Sequence, residues 1–99
     1  MAVPAERFER EQGCTEAEWL GWLPHAVHGH ALRRPSSARA VVSIGAGTLT
    51  LDWAVLSPRR IALLNLPRLH VRYAFDGVPD DERTRFMKRF DLHMQRGGG

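Results

Sequence analysis

Ninety-nine residues with a net charge of +3 make one small domain, and a chain of that size buries roughly two-thirds of its extended surface on folding. A single cysteine, Cys14, excludes an intrachain disulfide and a cysteine-rich metal site. No run approaches the roughly 18 apolar residues of a transmembrane helix, and the charges that follow Pro4 at once leave no secretory apolar segment, so the expected setting is reducing, cytoplasmic and free of membrane.

The charge is unevenly laid out. Residues 1–32 set Arg7 and Arg10 against five glutamates, a net −3, whereas residues 33–76 set seven arginines against Asp52 and Asp76, a net +5. Thirteen of the fourteen basic residues are arginine. Its planar fork suits carboxylates and phosphates, although high genomic G+C enriches arginine as well.

In chain order, a first helical region is expected over 5–24, in two pieces. Thr15-Glu16-Ala17-Glu18 reads as a capping box, with Thr15 and Glu18 satisfying each other's backbone donors. Trp19, Leu20 and Leu23 then gather on one side with Trp22 flanking, and Pro24 should stop the helix at Leu23. Residues 25–38 hold His25, His28, Gly29, His30, Arg33, Arg34 and Pro35, the content of a connection.

The middle of the chain reads as β. Residues 40–44 are rich in β-branched side chains, Gly45-Ala46-Gly47 marks a turn, and 48–53 alternate so that Leu49, Leu51 and Trp53 face the core. Ser57-Pro58 is read as a break, 61–64 as a short third strand and Asn65-Leu66-Pro67 as a turn or bulge. Leu69, Val71, Tyr73 and Phe75 then give the clearest alternation in the chain. A last helix starts near Asp80, with Asp81 and Glu82 complementing its positive end; Phe86, Met87, Phe90 and Met94 form its apolar stripe. Gly97-Gly98-Gly99 is expected as a flexible tail. The whole reads as a single α+β domain over 1–99: helix, three or four antiparallel strands, helix, with both helices on one sheet face.

Three surfaces are candidates for function. The open sheet face should display His70 and Arg72, with Arg59, Arg60 and Arg68 at its ends, and could hold phosphates. Readers of single strands add aromatics to such a face for base stacking, and Tyr73 and Phe75 have the opposite parity. His25, His28 and His30 could ligate a metal, but a closed structural site wants four ligands at recognisable spacing, and a His-rich loop explains the pattern. Trp19 and Trp22 could serve a protein interface, or simply pack over the sheet.

No catalytic signature stands in the sequence. Cys14 precedes a helix start, where a thiol pKa can fall, but so do cysteines without chemistry. Gly45-x-Gly47 is followed by a strand, so it is not a phosphate loop. The expectation is a non-enzymatic accessory or regulatory protein with no cofactor, acting through a protein partner or as a homodimer. A weak nucleic-acid binder is the alternative, and a thiol- or metal-dependent enzyme comes third.

Overall fold

The computed structural model describes residues 3–96. Seven elements follow in order: β1 (Arg7–Gln12), α1 (Glu16–Ala26), β2 (Leu32–Ser36), β3 (Arg39–Ile44), β4 (Gly47–Ile61), β5 (Leu64–Asp76) and α2 (Asp80–Arg96). The strands form one antiparallel sheet in the order β1-β5-β4-β3-β2. The α+β class expected from the sequence is therefore present. Its layout differs, because the described residues open with a strand and hold five strands rather than three or four. The expected tail at 97–99 lies outside the described residues.

The first expected helix resolves into a strand and a helix. Over 7–12 the side chains alternate between exposed and half-buried, with Phe8, Arg10 and Gln12 on the inner side. One aromatic is enough to seat this strand: Phe8 stacks on Tyr73 at 4.5 Å between ring centroids. Arg10 lies over both rings and donates to Asp91 of α2 at 2.6 Å. The capping box forms as its spacing predicts, with Thr15 N donating to Glu18 Oε1 at 2.9 Å and Glu18 N donating to Thr15 Oγ1 at 3.1 Å. Pro24 does not end α1. The helix runs on to Ala26 and caps at Val27, because stopping at Leu23 would leave Ala26 and Val27 outside the core that both enter.

The connection expected over 25–38 contains β2. Leu32 pairs with Val42 and Arg33 with Val41, followed by an irregularity before Ser36 pairs with Arg39. Pro35 is tolerated because this is a terminal strand, where one side of the backbone owes no ladder bond.

The largest departure lies in β4 and β5. The break expected at Ser57-Pro58 is a bulge: Leu56 pairs with Arg68 and Arg59 with Leu66, so Ser57 and Pro58 together oppose Pro67. Both prolines sit where the ladder is already interrupted, and the ribbon passes through them. The expected third strand over 61–64 is the hairpin end itself, with Ile61 paired to Leu64 across Ala62-Leu63. Of the turn or bulge expected at Asn65-Leu66-Pro67, the turn is absent, since all three lie in β5, and the bulge is present opposite Pro67.

Both helices cover one face of the sheet, as the alternation of β5 implies. Trp19 meets Trp53 at 5.7 Å and Phe90 at 6.0 Å, both edge-on. Phe90 meets Tyr73, and Phe86 meets Phe75, in the same manner. Such contacts add about 1 kcal/mol each beyond the area they bury. Further polar ties join Arg10–Asp91 in fixing the layers. Trp53 Nε1 donates to Glu16 of α1 at 2.9 Å. Buried Arg83 donates to the carbonyls of Pro4 and Val78 and to Asp80, which holds the segment before β1 against the start of α2.

Candidate functional site

The sheet proper ends at two pairings and one hydrogen bond. β1 reaches β5 only as far as Gln12 opposite Leu69. β3 reaches β4 at Arg39 opposite Asp52, and Trp53 N donates to the carbonyl of Ala38. Beyond these, β4 and β5 pair only with each other among the described residues. The result is a two-stranded arm from Ala54 to Arg68 that projects past its neighbours by about 20 Å at 3.3 Å per residue. It turns through Ala62 and Leu63, with Ala62 at φ +54°, the positive angle that the first position of a type II′ hairpin requires.

The arm is apolar where no core covers it. Of the seven large hydrophobic residues that are exposed in the described chain, Val55, Ile61, Leu63, Leu64 and Leu66 lie here, and Leu63 at the apex is fully exposed. Cross-strand partners share a face, so the pairings of Arg59 with Leu66 and Ile61 with Leu64 put those four side chains on the open side of the sheet together with Arg68. Arg60 falls on the opposite side. Its base is braced: Arg68 donates to the carbonyl of Ser57 at 2.7 Å and to Glu11 at 2.7 Å, while Arg59 reaches the same carboxylate at 3.3 Å. Several adjacent aliphatics are thus exposed together at the end of a protruding element.

The arginine face assembles, but with partners attached. Arg59 and Arg68 share Glu11, His70 lies 2.6 Å from Glu9, and Arg39 lies 2.6 Å from Asp52. Arg72 stands between Glu9 of β1 and Asp52 of β4 in the ladder. The acidic N-terminal segment thus meets the arginine-rich middle of its own chain. Among the described residues no aromatic joins this face, because Trp53, Tyr73 and Phe75 are in the core.

Trp19 is wholly buried within the chain, which removes it from reach of a partner, and Trp22 is half-buried against the core. His25 and His28 converge on His93 rather than on His30, with ring centroids 6.1 and 6.2 Å away. His30 packs on Phe86 instead. Among the described residues no group of three or more His, Cys, Asp or Glu side chains is placed to hold a metal ion.

Cys14 lies in the core. Burial, with the nearby Glu18 carboxylate, pushes its pKa up to about 11, the reverse of an activated thiol. The phenol of Tyr73 is likewise raised, chiefly by burial, and its hydroxyl finds no hydrogen-bond partner in the protein among the described residues.

The arm was not foreseen from the sequence. Its signal was the stretch from Trp53 to Phe75, which carries Arg59, Arg60, Arg68 and Arg72 and no carboxylate, yet five aliphatics with no element to bury them. No protein-family model matches the chain, and no curated protein is significantly similar to it in sequence.

Proposed function

We propose that this protein is a non-catalytic binding domain that engages a protein partner through the β4–β5 arm. The observation that carries this reading is the position of Ile61, Leu63, Leu64 and Leu66 at the far end of the arm, exposed and remote from the core. Leaving them in water forgoes on the order of 1.5 kcal/mol or more per side chain, which a partner surface would recover. The two prolines and the bulge blunt the edges of the arm against indiscriminate strand addition, so recognition falls to its apolar side. The arginines at its base orient the approach of a partner with complementary charge. This reading moves the contact from the tryptophan region to the arm.

The test is photo-cross-linking from position 63 in the source cell. One dominant protein adduct is expected, and it should vanish with Leu64→Asp plus Leu66→Asp while the far-ultraviolet spectrum stays unchanged. A nuclease-sensitive adduct, or none, overturns the reading. The alternative of nucleic-acid binding is favoured by the run of four arginines without a carboxylate. It requires retention on polynucleotide at low ionic strength that weakens steeply with salt and is abolished by Arg68→Glu plus Arg72→Glu.

A further inference from the structure

The sheet has two terminal strands, and they differ in kind. β2 is guarded by Pro35, by its irregular pairing and by Arg33 and Arg34, charges of one sign. β1 has no proline and pairs with β5 without interruption over all six residues. Phe75 N donates to the carbonyl of Glu6 at 2.7 Å. In an antiparallel ladder this sets the phase: the backbone groups of Glu6, Phe8, Arg10 and Gln12 point at β5, and those of Arg7, Glu9 and Glu11 point outward. No strand borders that outer edge among the described residues.

We infer that β1 pairs antiparallel with β1 of a second copy, with Phe8 on the two-fold axis. Charge selects this register. Arg7 then lies opposite Glu9 of the second copy and Glu6 opposite Arg10, each contact made twice by symmetry. Among the described residues neither Arg7 nor Glu6 has an ion-pair partner within its own chain. Sliding by one two-residue step sets Glu9 opposite Glu9, or Arg7 opposite Arg7 in the other direction, and like charges directly opposite are unfavourable. A slide by a single residue turns Phe8 to the wrong face. The outward backbone groups of Arg7 and Glu9 are the ones that such a pair would join.

Strand pairing alone is a small contact, and an apolar groove enlarges it. A groove of about 430 Å³ runs beside β1, between it and α2; Val3, Pro4, Ala5, Phe8 and Met87 supply its apolar lining, and the Arg10–Asp91 ion pair also lines it. The two-fold brings both Phe8 rings together on the helix side, so the two grooves meet and each receives apolar surface from the other copy. This surface is separate from the arm and does not depend on it.

Sedimentation equilibrium of the full chain tests the pairing. The protein should be a dimer that Arg7→Glu or Glu9→Arg alone weakens about tenfold, since each change replaces two attractions by two repulsions. The double variant Arg7→Glu/Glu9→Arg restores opposite charges and should return the dissociation constant to within about threefold of the original. Both sites are exposed on an edge, so circular dichroism should be unaltered. In a Cys14→Ala background, Phe8→Cys should form an intermolecular disulfide, because non-hydrogen-bonded pairs place their Cα atoms about 4.5 Å apart. A protein that is monomeric at millimolar concentration, a dimer indifferent to the single changes, or a double variant that is not rescued overturns the inference. So does a dimer lost on Leu64→Asp plus Leu66→Asp, which would place self-association on the arm.

Discussion

Cys14 shows how environment decides what a side chain can do. It stands just before the N-cap of α1, where free N–H groups favour a thiolate, yet burial and Glu18 dominate and hold the proton on sulfur. Two consequences follow from the raised pKa. Folded protein at pH 8 should react with a thiol reagent only at its unfolding rate. The second consequence concerns stability. Between the ordinary cysteine value of 9.0 and the folded value of about 11, the unfolded chain gives up this proton and the folded chain keeps it. Stability is therefore lost as pH rises through that window, by up to about 2–3 kcal/mol from this group. Urea unfolding of the wild type and Cys14→Ala at pH 8 and pH 11 checks it: the gap between them should shift in favour of the variant at high pH. Tyr73 contributes a fall of the same sign to both proteins, which is why the difference is the measurement.

At the scale of elements, the hairpin end carries the clearest local cost. Ala62 adopts φ +54°, a region that suits glycine and disfavours any residue with a Cβ. Ala62→Gly should therefore firm up the arm, but not the domain, because no residue of the arm belongs to the buried core. Hydrogen exchange is the readout: amides over 59–66 should slow about threefold, on the order of 0.5–1 kcal/mol, with no change in the global unfolding midpoint. Elements with a complete local signature were legible in the sequence. Thr15 and Glu18 marked the start of α1, the Leu69-to-Phe75 alternation marked β5, and Phe86, Met87, Phe90 and Met94 marked α2. Those that depend on distant partners were not. β1 offers Phe8 among charges and becomes a strand because Tyr73 and Asp91 receive Phe8 and Arg10. β4 and β5 run through Pro58 and Pro67 because the bulge absorbs both, and no periodicity announces a bulge. The candidate site is illegible for the same reason: a break, a short strand and a turn or bulge do not by themselves place Ile61, Leu64 and Leu66 on one side of a continuous ribbon.

The whole molecule separates a packed body from a projection. Its buried hydrophobic core runs from Cys14 to Met94 and includes no residue between Ala54 and Arg68. Replacing residues 57–67 by a two-residue turn should accordingly leave the unfolding free energy within about 1 kcal/mol of the original, and remove the exposed aliphatics of the arm. A large loss of stability in denaturant titration would show instead that the arm belongs to the folding unit.

The ion pair of Arg10 with Asp91 and the bond of Arg83 to the Pro4 carbonyl join positions 81 and 79 residues apart. Strands β2 to β5, in contrast, meet their neighbours in chain order. Closing nearly the full length of the chain is entropically the most demanding step, and it gains nothing until β5 and α2 are in place to receive β1. The connectivity thus predicts an order of assembly: the four-strand meander condenses from nearby contacts, and β1 is expected to join last, completing the sheet from its open side.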